Sequence, residues 1–237
     1  MEPIQCRVSK SLDFRASHYG REILEPGSSI ARHRHRQGYV AVVLSGGYQE
    51  AGLSGRFDLK AGDVVVHRAF DAHLDQVTRA GAEVINLPLP PAPLPPVFRI
   101  EDPDAIARLA ERDPGAAALG ISPVSVTTRM ADWPDELVLQ MDEDPARELR
   151  DWALQQGLAP ETLSRGFRRA YGVTPARFRA ELKAVRALSL LEATDLGLAE
   201  IGVAAGFADQ PHMTRAIVSM TGLAPTAWRR RSIQFKT

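Results

Sequence analysis

The chain has 237 residues, 44% of them hydrophobic and 24% charged, which is typical of a soluble protein with room for two modest domains. It contains no run of 18 apolar residues and no apolar stretch near its first residue, so we expect neither a membrane span nor a signal peptide. Cys6 is the only cysteine, which excludes an internal disulfide framework and favours a reducing, cytoplasmic environment.

The net charge of zero conceals two oppositely charged halves. Residues 1–145 carry 15 Lys and Arg against 21 Asp and Glu, whereas residues 146–237 carry 14 against 8. A basic half attached to an acidic half indicates a polyanionic partner, such as nucleic acid, for the basic half alone. The alternative is two solvated surfaces that merely differ in charge.

Residues 1–90 are predicted to form a small β-domain. The runs YVAVVL (39–44) and DVVVH (63–67) are short and rich in β-branched residues, and turns that contain Gly or Pro separate them. Strands and turns at this spacing indicate a sandwich or a barrel.

Residues 91–143 are predicted to connect this domain to a second one. The segment PLPPAPLPP (88–96) predicts an extended, semi-rigid connector. Asp102 followed by Pro103 marks the start of a helix, and residues 132–141 indicate another short helix.

Residues 144–237 contain one pattern written twice. WALQQGLAPETLSRGFRRAYGVTPARF (152–178) and IGVAAGFADQPHMTRAIVSMTGLAPTAW (201–228) align at an offset of 49 before a glycine turn and 50 after it. Each copy predicts a short helix, a turn and a longer helix, which is the order of a helix-turn-helix. A helix of about twenty residues, roughly 30 Å long, is predicted over 175–194. It could hold two recognition helices in successive major grooves, about 34 Å apart, without a dimer.

The second helix of each copy is predicted to present a polar face to DNA, because Arg reads guanine, Gln reads adenine and Thr reads either. The candidate base-reading residues are Glu161, Thr162, Ser164, Arg165, Gln210, His212, Thr214 and Arg215. The candidate phosphate contacts are Arg168, Arg169, Arg229, Arg230 and Arg231. The alternative is a plain helical domain with a solvated basic face, in which Arg165 and Arg215 pair with acidic groups of the domain itself.

The repeated pattern closely resembles the AraC/XylS family of bacterial transcription regulators. The matching residues are Ala153, Gly157, Leu163, Arg165, Phe167, Gly172, Pro175, Ile201, Gly206, Phe207, Asp209, Arg215, Gly222, Pro225, Trp228 and Arg229. Gly202, Met213 and Ile217 differ from the residues of the family pattern, and we interpret these differences as variation among core residues. Ala159 replaces a Ser, and the loss of its hydroxyl should weaken one helix cap by about 1 kcal/mol.

The resemblance implies sequence-specific binding to double-stranded promoter DNA and control of transcription. It also implies a small-molecule effector of unknown identity, and it allows contact with RNA polymerase and a homodimer. The sequence lacks the G-x-S-x-G, P-loop, G-x-G-x-x-G and H-E-x-x-H patterns, so no enzymatic activity is predicted.

The N-terminal segment resembles a degenerate cupin barrel, a fold that often forms the sensor half of such regulators. The first cupin motif is matched by Gly27, His33, His35 and Gly46, with Tyr39 where the motif has Glu. The second motif is matched by Gly62 and His73, with Arg68, Phe70 and Val77 in place of Pro, Gly and Asn. The predicted fold class is therefore α+β, with a cupin-like barrel followed by two helix-turn-helix units joined by a linker helix.

A divalent metal site is one interpretation of the histidines. His33 and His35 would share one face of a strand, and with His73 they could surround one ion in an open site. The missing carboxylate argues against a catalytic centre. The second interpretation is a set of polar residues at a pocket mouth, flanked by Arg32, Arg34 and Arg36. A cupin-type metal enzyme or metal sensor with a helical appendage is the alternative function. His67 is interpreted as structural, and His18 and His212 have no partner in sequence.

Overall fold

A computed structural model of the chain describes residues 19–145 and 147–234, with side chains described as far as residue 231. Its fold class is α+β, as predicted: an antiparallel β-rich part precedes an all-helical part. The predictions for Cys6 and His18 lie outside the described residues. Among those described, no helix is both long and apolar enough to span a bilayer.

Eight strands form one antiparallel sheet in the described part of the chain. They are β1 Gly20–Leu24, β2 Ser29–Arg34, β3 Tyr39–Gly52, β4 Gly55–Lys60, β5 Asp63–His67, β6 Ala72–Pro88, β7 Val97–Arg99 and β8 Ser125–Val126. The long strands β3 and β6 pair with each other. Strands β1 and β2 pair only with β6, and β4 pairs only with β3. The ladder therefore leaves open edges among the described strands, and the predicted barrel is not closed.

The β-rich part continues beyond the predicted boundary at residue 90. Strand β7 pairs with β5, and Phe98 lies in the same core as the first half of β3. Helices α1 (Pro103–Ala110) and α2 (Pro114–Leu119) pack on that core. The proline-rich segment 88–96 is therefore a loop inside this part, because the strand that follows it returns to the same sheet.

Seven further helices form the helical part of the described chain. They are α3 Trp133–Glu143, α4 Leu149–Gln155, α5 Pro160–Tyr171, α6 Pro175–Ala193, α7 Leu198–Ala204, α8 Gln210–Thr221 and α9 Pro225–Gln234. The repeated pattern corresponds to α4–α5 and α7–α8. Asp144 and Pro145 are residue types typical of a helix start, but α4 begins only at Leu149. The predicted helix starts at Pro103, at residue 132 and at residue 175 agree with the structure within one residue.

Local signals explain the repeated units. Gly157 and Gly206, in the two turns, have φ angles of +65° and +83°, which residues with a Cβ rarely adopt. The side chain of Asp209 accepts a hydrogen bond from the His212 backbone N–H and so caps α8. Ala159 occupies the equivalent position before α5 and makes no side-chain cap, as its sequence predicts.

Two helical glycines are expected to respond oppositely to alanine. A Cβ on Gly202, in α7, would meet nothing closer than 3.8 Å, so Gly202→Ala should raise the free energy of unfolding by about 0.5–1 kcal/mol. A Cβ on Gly166, in α5, would overlap the indole ring of Trp133, so Gly166→Ala should lower that free energy despite its better helix propensity. Urea denaturation of the two variants measures the contrast. Equal effects would contradict the close packing of α3 on α5.

Candidate nucleic-acid interface and ligand cavity

The second helix of each repeated unit buries one face against the helical core. Helix α5 buries Leu163 and Phe167, and α8 buries Met213 and Ile217. The two buried positions of α5 recur in α8 at an offset of 50 residues, so the two helices present equivalent faces outward. The departures from the family pattern at Met213 and Ile217 are core variation, as predicted, because both side chains are fully buried.

The predicted base-reading residues lie on the outward faces of α5 and α8. Six of them are exposed: Glu161, Thr162, Arg165, Gln210, His212 and Arg215. Ser164 and Thr214 are partly buried. Within the described residues, neither Arg165 nor Arg215 takes part in an ion pair, which removes the reason to interpret them as internal structural partners.

The five predicted phosphate contacts fall into two groups. Arg168, Arg169, Arg230 and Arg231 are exposed. Arg229 is partly buried, and its Nη2 donates a hydrogen bond to the Leu196 carbonyl at 2.7 Å. That bond holds α9 against the residues before α7, so Arg229 has a structural contact in addition to its predicted one.

Helix α6 sets the separation of the two outward faces. Its 19 residues give a length of about 28 Å, close to the pitch of about 34 Å for one turn of B-DNA. Phe178 and Leu182 anchor its first half to the first unit, whereas Leu188 and Leu191 anchor its second half to the second unit.

A cavity of about 80 Å³ lies inside the β-rich part. Cross-strand pairing brings its polar residues together, since His33 pairs with His73, Tyr39 with His67, and Glu50 with Asp75. Residues paired in this way point to the same face of a sheet. The three predicted histidines, His33, His35 and His73, thus lie in one buried cluster with ligand atoms within 4.8 Å of one another.

Two residues that the sequence analysis did not select complete this cluster. Glu50 Oε2 lies 3.6 Å from His67 Nε2, and the ring centroids of His67 and His73 are 4.2 Å apart. Glu50, His67 and His73 form a second group whose ligand atoms also lie within 4.8 Å of one another. A carboxylate is therefore present in the cavity, although Tyr39 replaces the one expected from the motif. It comes from near the end of β3, at a position with no counterpart in the cupin pattern.

The cavity keeps the imidazoles of His67 and His73 neutral. Burial, followed by the nearby His35 and His33, lowers the pKa of His67 to about 3. Burial likewise lowers the pKa of His73 well below its usual range. Burial and then the neighbouring Asp75 raise the pKa of Glu50 well above its usual range. A neutral imidazole has a free lone pair, so both rings can donate to an electrophile at neutral pH.

Residues 152–231 match a family model described as "Helix-turn-helix domain". The match starts within α4 and includes α5, α7 and α8, so these residues form a helix-turn-helix domain. No curated protein sequence shows significant similarity to the chain.

Several solved structures are distantly similar. ToxT from Vibrio cholerae is 9% identical, with 89% of this chain and 97% of that chain covered and a TM-score of 0.44. A transcriptional regulator with an AraC-type DNA-binding domain, from Chromobacterium violaceum, is 28% identical, with 42% and 90% covered and a TM-score of 0.39. The DNA-binding domain of AdpA, a global transcriptional factor in complex with a target DNA, is 21% identical, with 45% and 97% covered and a TM-score of 0.43.

The helix-turn-helix domain is joined to the β-rich part by a buried cluster of charges. Arg32 of β2 contacts Glu181 of α6 through its Nε at 3.3 Å and its Nη2 at 3.0 Å. Arg34 Nη2 lies 3.6 Å from the other oxygen of Glu181, and Arg177 Nε donates to that oxygen at 2.9 Å. Arg32 and Arg34 therefore do not flank a pocket mouth. They lie on the face of β2 opposite His33 and His35, because successive side chains of a strand alternate in direction.

A second charged contact lies at β4. Arg56 binds both carboxylate oxygens of Asp135, at 2.9 and 2.7 Å, and also contacts Asp132 at 3.0 Å. The hydroxyl of Tyr171, the last residue of α5, donates to Asp135 at 2.6 Å. A bidentate arginine pair of this type fixes orientation as well as distance, so α3 and the end of α5 are held to the sheet.

An aromatic contact joins the β-rich part to the second unit. Phe70, in the turn between β5 and β6, lies in the same core cluster as Ile217, and its ring centroid is 5.3 Å from that of Trp228. Phe70 stands where the second cupin motif has Gly, and its φ angle is +68°. The turn therefore has a left-handed backbone conformation at a non-glycine residue, and it supplies the side chain of that residue to the helix-turn-helix domain.

Proposed function

We propose that the chain is a sequence-specific transcription regulator whose helix-turn-helix domain reads two successive major-groove segments of one duplex. The observation that carries the proposal is the exposure of Arg165 and Arg215 at equivalent positions of α5 and α8, where neither forms an ion pair with another described residue. The rigid helix α6 between them has nearly the length of one duplex turn.

The proposed contacts follow from side-chain chemistry. Arg165 and Arg215 are assigned to guanine, and Gln210 to adenine, because these pairs form two hydrogen bonds in the major groove. Glu161 can accept a hydrogen bond from cytosine N4. The exposed Arg168 is assigned to phosphate, where it adds affinity without sequence information.

Selection of bound duplexes from a random library, with the full chain at stated salt, tests this proposal. The expected result is a site with two half-sites whose centres lie about 10–10.5 base pairs apart. Mobility-shift titration should then give an affinity that falls linearly with the logarithm of salt concentration. Arg108→Ala, on exposed α1 of the β-rich part, is the charge-matched control and should change neither result. Equal binding to selected and random duplexes would overturn the proposal.

The β-rich part is proposed to act as the sensor. Its buried polar cavity supports this role, and three separate contacts connect it to the helix-turn-helix domain. Contact with RNA polymerase and homodimer formation stay predictions of the sequence. A cupin-type enzyme would lose its turnover in His35→Ala. A regulator, in contrast, should keep selective DNA binding in His35→Ala and lose it in Arg165→Ala or Arg215→Ala.

A further inference from the structure

The cavity of the β-rich part has an unusual donor set for its size. At about 80 Å³ it is well below the range of about 300–1,000 Å³ typical of pockets for organic ligands. Four imidazoles and the carboxylates of Glu50 and Asp75 nevertheless line it, all of them buried. The cavity can hold an ion and a few waters but no sizeable organic molecule.

We propose that Glu50, His67 and His73 bind a single divalent transition-metal ion in this cavity. The proposal deepens the sensor role proposed above, because it names the ligand class of that sensor. It also differs from the set predicted from sequence, His33 with His35 and His73, in which no carboxylate takes part.

Unsatisfied atoms favour this set of ligands. Within the described residues, Glu50 Oε2 and His73 Nδ1 are buried without a hydrogen-bond partner. Such atoms are costly to bury, and a cation bound between them would satisfy both. The Nε2 of His35, in contrast, lies 3.3 Å from the hydroxyl of Tyr39 and is already engaged.

Charge favours a cation at the same point. Glu50 and Asp75 are directly opposite each other on β3 and β6, and both side chains are buried. Two charged carboxylates in that arrangement would repel each other, and a bound cation would offset this repulsion. Asp75 Oδ2 lies 4.0 Å from His73 Nε2, where it could orient that ring as an outer partner of a metal ligand.

The chemistry of the donors selects the type of ion. Imidazole suits zinc, copper, iron and nickel, whereas calcium and magnesium prefer sites built from oxygen alone. Two imidazoles and one carboxylate resemble three-ligand sites that leave a further position open. The probes for the test are therefore Zn²⁺ and Co²⁺, with Mg²⁺ as the negative control.

The test is metal binding by the full chain after dialysis against a chelator. Isothermal titration with Zn²⁺ and elemental analysis should give about one ion per chain, and Co²⁺ should give the visible absorption of a low-coordinate site. Glu50→Gln and His67→Gln should each weaken binding by at least about a hundred-fold, since losing only an outer partner already costs about 10–100-fold. His35→Gln, the matched control in the same cavity, should retain most of the affinity.

Thermal unfolding separates loss of the site from loss of the fold. Zn²⁺ should raise the Tm of the wild type and of His35→Gln, but not that of a Glu50→Gln variant that is folded without metal. Absence of bound metal in the wild type would overturn the proposal. So would a result in which His35→Gln loses metal binding and Glu50→Gln keeps it. Neither result would affect selection of a DNA site by the same protein, so the DNA-binding proposal is tested separately.

Discussion

Glu181→Gln is expected to lower the free energy of unfolding by about 3–5 kcal/mol, because it leaves buried charges uncompensated. The side chains of Arg32 and Glu181 are only 4% and 3% exposed, and Arg34 lies beside them at 4%. Glutamine keeps the size and the hydrogen-bonding capacity of the glutamate but removes its charge. Chemical denaturation of the full chain measures the loss.

Two further variants show whether charge burial is the cause. Arg177 also pairs with Glu181, but its side chain is 53% exposed, so Arg177→Gln should cost no more than about 0.5 kcal/mol. Replacing both buried partners, with Arg32→Met and Glu181→Leu together, should restore much of the stability lost in Glu181→Gln. A Glu181→Gln variant as stable as Arg177→Gln would show that the cluster is solvated rather than buried.

Arg165→Ala and Arg215→Ala are each expected to weaken binding to the selected site by about 1–3 kcal/mol, roughly 5- to 150-fold in Kd. The loss should be concentrated at one base pair of the corresponding half-site, because a base-reading arginine contributes specificity as well as affinity. Competition mobility shifts with single-base variants of the site measure both effects. Arg165→Ala should change base preference only in the half-site bound by α5, and Arg215→Ala only in the half-site bound by α8.

Arg168→Ala provides the matched control on the same helix. As a phosphate contact, it should weaken binding to specific and random duplexes alike and reduce the salt slope by about 1. If Arg165→Ala behaved in the same way, with no change in sequence preference, its assignment to a base would be wrong. Circular dichroism of each variant should match the wild type, since all three arginines are exposed.

Local signals made the helix-turn-helix domain predictable from sequence. Three kinds of signal act on backbone within a few residues and can therefore be located from the sequence alone. They are the glycines in the turns, the capping side chain of Asp209 and the prolines in the first turns of helices. The start of α4 was the weakest of these predictions. Asp144 and Pro145 resemble a helix start, but the helix begins only at Leu149, where α4 can pack on the core.

Contacts between distant residues were not predictable in the same way. Glu50 enters the cavity because β3 pairs with β6 in a register that places it opposite Asp75, and a single sequence does not contain that register. From sequence alone, Arg32 is interpreted as a residue that flanks a pocket. Its actual partner, Glu181, lies 149 residues further along the chain, and only the fold brings the two together. Phe98 extends the β-rich part beyond residue 90 for the same reason, since its partner strand lies far back in the chain.

His67 is the last residue of β5 and His73 is the second residue of β6, and Phe70 stands midway between them in the connecting turn. Because the Phe70 ring is enclosed by the core around Trp228, it cannot shift without disturbing α9. An ion that draws the two histidines together would thus bear on the second unit through Phe70. It would bear on the first unit as well, because Ala51 and Leu74, the chain neighbours of Glu50 and His73, pack in the core of that unit. Both half-sites of an operator should then respond to the ion together.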